Sequence, residues 1–266
     1  MPSSVGTPCV VFFHAHPDDE SIFTGGTLRL LADRGVRTVV VIATDGAGGA
    51  ASGAATPHDV AARRADEARD ACRILGVDAL HLLGYADTGG FDDRSAAAGS
   101  GAASLGSCVV AVQRLATLLH DEGATALVTY DDGGIYAHPD HLAVHRIGVA
   151  AAELAGIDLV YEATVDREYL HFVETHLVHH AVEWLVGADA AAVRNRAPLG
   201  VPTVVVSTTV DVGDVVAVKR AAIVAHRSQV PAASPLHEMD DETFRAVYGY
   251  EWFIRRGPRG PIEELA

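Results

Sequence analysis

The chain has 266 residues, enough for one large domain with a substantial buried core. Hydrophobic residues make up 49% and charged residues 21%, and no uninterrupted apolar run reaches the ~20 residues needed to span a bilayer. A net charge of −15 repels phosphate backbones and anionic headgroups, which argues against nucleic acid or a membrane as the main partner.

Residues 1–7 lack the basic patch and apolar stretch of a signal peptide, so a cytoplasmic protein is expected. Residues 9–13 predict a first strand, and 26–34 the body of the helix after it. Residues 37–43 predict a second strand, and 58–75 a long helix closed by Gly76. A strand at 79–83, a helix at 105–121, a strand at 126–130, a helix at 141–154 and a strand at 159–163 complete the regular part. Near-continuous apolar strands separated by helices indicate a doubly wound α/β fold, with a mostly parallel sheet covered on both faces.

Beyond residue 164 the order loosens. A helix is expected at 167–185, a strand at 203–210, a helix at 213–228 and a late strand at 250–254 on an added sheet. Pro231, Pro235, Pro258 and Pro261 suggest irregular structure around that strand. The chain reads as one domain over 1–266, with a core over 1–165 and a smaller α/β extension over 166–266. Segments 46–57 and 87–104, rich in Gly, Ala and Ser, read as lids. Cys9, Cys72 and Cys108 show no CxxC spacing and read as buried free thiols.

In open α/β sheets ligands collect beyond the carboxyl ends of the strands. His14-Ala15-His16-Pro17-Asp18-Asp19-Glu20 follows the first strand, and Tyr136-Ala137-His138-Pro139-Asp140-His141 follows the fourth. Both place a His-Pro-Asp step at a strand-to-helix junction, where proline is favoured at the first helical position. Taken alone, the first reads as well as a helix cap and the second as a surface turn; two such junctions in one chain point to a site. His16 and Asp19, three positions apart across a tight turn, can face one metal ion, and His141 can supply a third ligand. That donor set suits zinc, though iron and cobalt also accept it. Asp18, beside a ligand but pointing elsewhere, is free to contact the activated water as a general base. His145, four residues after His141, is a weaker ligand candidate. His176, His179 and His180 read as a solvated helix face.

At these residues the sequence resembles the LmbE-like or PIG-L deacetylases, with similarity running from about residue 10 to 230. The resemblance implies one zinc per chain on His16, Asp19 and His141, with Asp18 as the base. It also implies that His138, protonated, stabilises the oxyanion and that Asp140 orients the His138 imidazole. Tyr136 stands where the family often has a mobile tyrosine reaching the reacting carbonyl. Arg64-Ala65-Asp66-Glu67 resembles the helix whose arginine lines the substrate pocket, with Arg63 leaving the register uncertain by one. Asp87, in Leu83-Gly84-Tyr85-Ala86-Asp87-Thr88-Gly89, resembles the aspartate that binds sugar hydroxyls. His226-Arg227-Ser228-Gln229 resembles the family's H-x-S-Q ending.

The implied reaction is removal of acetyl from an N-acetylglucosaminyl group. A glycosylated natural product, such as a glycopeptide antibiotic pseudoaglycone, is the preferred substrate. An N-acetylglucosaminyl inositol or mycothiol-conjugate amidase substrate is the alternative. Two rivals fit less well. Thr44-Asp45-Gly46-Ala47-Gly48-Gly49 departs from a dinucleotide-binding fingerprint and follows the wrong strand for it. A structural metal module would be closed by four ligands, often cysteines. No G-x-S-x-G elbow supports a serine nucleophile.

Overall fold

Runs such as Val10-Val11-Phe12-Phe13 and Val39-Val40-Val41-Ile42 have no polar face to offer water, so they are stable only with both faces of the sheet covered. The computed structural model describes residues 7–49, 56–89, 105, 108–178, 181–186 and 199–266. Among them β1 (Cys9–His14), β2 (Arg37–Thr44), β3 (Ala79–Tyr85), β4 (Ala126–Tyr130) and β5 (Val160–Thr164) pair in parallel. The sheet order is β3-β2-β1-β4-β5-β7-β6. Its last members, β6 (Thr208–Asp211) and β7 (Tyr250–Arg256), run antiparallel, β7 against β5 and β6 against β7. The late strand therefore extends the main sheet and does not build an added one.

Helices α1 (Asp19–Asp33) and α2 (Pro57–Leu75) pack together with a later helix, α7 (Val216–Ala225). Helix α3 (Cys108–Asp121) packs on α4 (Pro139–Ala155). A Thr56–Asp59 capping box starts α2, and Gly76 at φ 81° ends it. Helix α1 begins well before the expected 26–34, because the Gly25-Gly26 pair does not interrupt it. A Cβ at Gly26 would lie 2.3 Å from the Val212 side chain, so only glycine lets the helix approach so closely. The buried Glu251 carboxylate accepts the Gly26 and Thr27 N–H groups at 2.7 and 2.8 Å, and it pairs with Lys219 at 2.7 Å.

The C-terminal third is more broken than the sequence suggests. The expected helix at 167–185 is α5 (Arg167–His176) and α6 (Ala181–Val186). The strand at 203–210 is a 3-10 turn, Thr203–Val205, followed by β6. The helix at 213–228 is a 3-10 turn, Gly213–Val215, followed by α7. Helix α8 (Asp241–Tyr248), capped by Asp240 accepting the Thr243 N–H at 2.7 Å, was not expected. Cys9 and Cys72 are free and buried. Most of the two lid segments, at 50–55 and 90–104, lies outside the described residues, as do His179 and His180. No described helix is long and apolar enough to cross a membrane.

Strand β1 sits between β2 and β4, where the strand order reverses, and the crevice beyond its carboxyl end is the expected ligand position. Both His-Pro-Asp junctions open there.

Candidate active site

Among the described residues three non-glycine residues have positive φ: Asp18 (146°), Ile135 (61°) and Ala137 (63°). All three lie in or beside the two motifs. Such conformations cost on the order of 1–3 kcal/mol each and persist only where surrounding bonds hold them. Asp131 Oδ1 accepts the Ile135 N–H at 2.9 Å, and the Ile135 carbonyl accepts the Gly200 N–H at 2.6 Å. Thr164 in β5 donates its hydroxyl to the other Asp131 oxygen. The loop carrying Tyr136 and His138 is thus braced from two sides.

The structure brings His16, Asp19 and His141 together, all buried. Asp19 Oδ2 is the hub: it accepts the His16 backbone N–H at 2.8 Å and the Tyr130 hydroxyl at 2.9 Å. It also lies 3.4 Å from both His16 Nδ1 and His141 Nε2. Burial pushes the Asp19 carboxyl up, but His141 and His16 hold it well below the usual range. Burial likewise opposes a charged His16, yet Asp87, Asp140 and Asp19 hold that imidazole well above the ordinary histidine value. So much converging negative charge on buried nitrogens is an environment suited to a cation. His141 is fully buried and its Nδ1 has no hydrogen-bond partner among the described residues. Donor atoms of His16, His138 and His141 lie within 4.8 Å of one another, as do those of His16, Asp87 and Asp140. His138 is the poorer ligand of its group. Its Nδ1 accepts the Asp140 N–H at 3.2 Å, and its Nε2 is 2.8 Å from the Gly89 carbonyl.

A carbonyl can only accept, so His138 carries its proton on Nε2 and is neutral. Burial, followed by the nearby His16 and His141, lowers its pKa to about 3. The charged imidazolium expected from the sequence is therefore not the form present here. Asp140 also differs from expectation. Its carboxylate turns to His16 Nε2 at 3.1 Å and to the N–H and hydroxyl of Thr88 at 3.0 and 2.9 Å. Only its backbone N–H reaches His138, so the imidazole that Asp140 orients is that of His16.

Asp18 points away from the cluster. Arg64 Nη2 donates to Asp18 Oδ2 at 3.0 Å and to the Pro17 carbonyl at 2.8 Å, while Nη1 donates to the Gly46 carbonyl at 2.9 Å. Burial raises the Asp18 carboxyl to about 6 against the pull of Arg64. Burial separates the two arginines of α2: Arg64 is 3% exposed, whereas Arg63 is exposed and lines a surface cavity of about 350 Å³ with Glu67, Arg227 and Ser228. Asp87 lies 3.8 Å from Arg64 and 3.7 Å from His16 Nε2, and it accepts the Gly48 and Gly89 N–H groups. The Tyr136 hydroxyl lies 3.3 Å from His141 Nε2. His145 instead bonds the Tyr130 carbonyl at 2.8 Å from the side of α4.

Sequence reasoning missed Tyr130, whose place as the last residue of β4 was the available signal. It also missed Thr88, and the pairing of Glu20 with His226 across the fold.

With this geometry in view, the chain can be set beside known proteins. Residues 11–152 match the PIG-L model, described as GlcNAc-PI de-N-acetylase. A 1D-myo-inositol 2-acetamido-2-deoxy-alpha-D-glucopyranoside deacetylase from Nocardia farcinica is 35% identical, covering 97% of this chain and 94% of that protein. Among solved structures, an N,N'-diacetylchitobiose deacetylase from Pyrococcus horikoshii superposes with a TM-score of 0.61 at 21% identity, over 98% of this chain and 90% of that one. A deacetylase of the teicoplanin biosynthesis pathway gives 0.58 at 19% identity, over 95% and 100%. These two share the fold; the family rests on the sequence matches, and the chain belongs to the PIG-L family of metal-dependent de-N-acetylases.

Proposed function

We propose that this enzyme is a zinc-dependent deacetylase acting on the N-acetylglucosaminyl group of an inositol glycoside, with His16, Asp19 and His141 holding the metal. The observation that carries the reading is the buried Asp19 carboxylate facing nitrogens of two histidines, with Asp18 alongside and turned away. The inositol substrate is supported by the 35% identity over 97% of the chain to a deacetylase of that glycoside. It replaces the glycopeptide pseudoaglycone preferred from sequence alone, whose structural relative shares only the fold.

A zinc ion held there supplies Lewis acidity toward water and the acetamide carbonyl. Asp18 takes the proton of the attacking water at its carboxylate, and a pKa of about 6 suits a base working near neutrality. His138 Nε2–H, released from the Gly89 carbonyl, and the Tyr136 hydroxyl donate to the developing oxyanion. Asp140 holds His16 in orientation, as carboxylates behind ligand histidines do. Arg64 and Asp87 border the same space and meet the sugar.

The test is elemental analysis of wild type and a His16→Ala/His141→Ala variant, alongside acetate release from N-acetylglucosaminyl inositol. About one zinc per chain, lost together with acetate release in the variant, is the expected result. Equal metal in both proteins would overturn the ligand assignment, and clear preference for a glycopeptide pseudoaglycone would overturn the substrate. Asp18→Asn is expected to keep its metal and lose about 100- to 10,000-fold in kcat.

A further inference from the structure

Asp18 has a backbone that non-glycine residues seldom adopt, with φ 146° and ψ −29°. That conformation separates two adjacent carboxylates: Asp19 turns to His16 and His141, and Asp18 turns to Arg64. Something must hold the peptide in place, since the Asp18 side chain itself makes no capping hydrogen bond at the start of α1. The holder is Glu20. Its Oε2 accepts the Asp18 N–H at 3.0 Å, while its Oε1 accepts the Ser21 hydroxyl at 2.7 Å and faces His226 Nε2 at 2.7 Å. Glu20, Ser21 and His226 are all fully buried.

A buried Glu–His pair is not an economical way to fill a core, because apolar residues of similar volume are often as stable. Among the described residues neither belongs to a group that could hold a metal, and neither is hydrogen-bonded or ion-paired to His16, Asp19 or His141. What the pair does is fix one strained amide. His226 ends α7, far outside the 11–152 segment matched by the family model, so the C-terminal part of the chain reaches back to the first motif through this contact.

We propose that Glu20 and His226 form a positioning pair that clamps Asp18 in its strained conformation and thereby sets the rate of proton removal from the attacking water. The inference rests on Asp18 being the base. A misplacement of about 1 Å costs roughly 100-fold, so loosening the clamp lowers kcat while leaving substrate binding and metal untouched.

The experiment measures kcat, KM and zinc content for Glu20→Ala, Glu20→Gln and His226→Gln, each also in an Asp18→Asn background. Glu20→Ala is expected to lose about 10- to 100-fold in kcat, with KM and one zinc per chain retained. Glu20→Gln is expected to recover most of that loss, since its carbonyl still accepts the Asp18 N–H. His226→Gln, which leaves Glu20 in place and keeps the proposal testable should Glu20→Ala not fold, is expected to lose a smaller factor. In the Asp18→Asn background none of the three lowers kcat further. Equal losses in both backgrounds, or loss of zinc in step with kcat, would overturn the clamp. Asp18→Asn with unchanged kcat would instead overturn the base assignment itself.

Discussion

Arg63 and Arg64 are neighbours in sequence with opposite fates, and the difference is a matter of helix face. Arg64 falls on the buried side of α2 with Glu67, Ala68 and Ala71, and it donates to Asp18 and to the carbonyls of Pro17 and Gly46. Removing it leaves the half-buried Asp18 carboxylate without its guanidinium partner and the Pro17 carbonyl without that donor. Arg64→Ala is expected to cost about 3 kcal/mol in urea unfolding, whereas Arg63→Ala stays within about 0.5 kcal/mol. Equal costs for the two would show that burial has been assigned to the wrong residue. The same scale explains the neutral His138: with an N–H donating to Nδ1 and a carbonyl facing Nε2, there is no room for a second proton.

At the scale of elements, the 3-10 turn Pro261–Glu264 pins three strands through one carboxylate. Glu263 accepts the Tyr161 hydroxyl of β5 at 2.7 Å, the Thr208 hydroxyl of β6 at 3.2 Å and Arg255 of β7 at 3.1 Å. Partial burial pushes the Glu263 carboxyl up, but the Tyr161 hydroxyl, the Gly260 N–H and Arg255 hold it below its ordinary value of 4.5. A carboxyl whose pKa is depressed on folding stabilises the fold above its unfolded pKa, and that contribution disappears as the pH falls through the folded value. The gap in Tm between wild type and Glu263→Gln is therefore expected to be widest near neutrality and to narrow as the pH falls below 4.5. A gap that stays constant from neutral to acid pH would mean that the charge of Glu263 contributes nothing. Helix α8 and this turn went unread because each is too short for periodicity to register.

At the scale of the whole molecule, residues beyond 206 complete the core around the site. Strand β7 covers the edge of β5, α7 packs on α1 and α2, Glu251 holds the middle of α1, and His226 reaches Glu20. A chain ending at residue 206 would expose that edge and leave α1 without one of its two helix packing partners. Such a truncation is expected to be insoluble or to lack a cooperative melting transition by circular dichroism, even though it contains the whole 11–152 match. A soluble, cooperatively folding truncation would show that the C-terminal part is dispensable to the fold.

By itself the sequence determined the parallel sheet, since apolar runs such as Val39 to Ile42 are stable only with both faces covered. It also determined the two His-Pro-Asp junctions, because proline after a strand sets a helix start at short range. Only the tertiary structure decided the partners. That Asp140 turns to His16 and not His138, that Arg64 and not Arg63 faces Asp18, and that Glu20 meets His226 depend on which groups converge across β1 and β4 or from the C-terminal helices. The physical reason is range: local periodicity and capping act within a few residues, whereas a buried polar group is satisfied by whatever donor the packed fold brings to it.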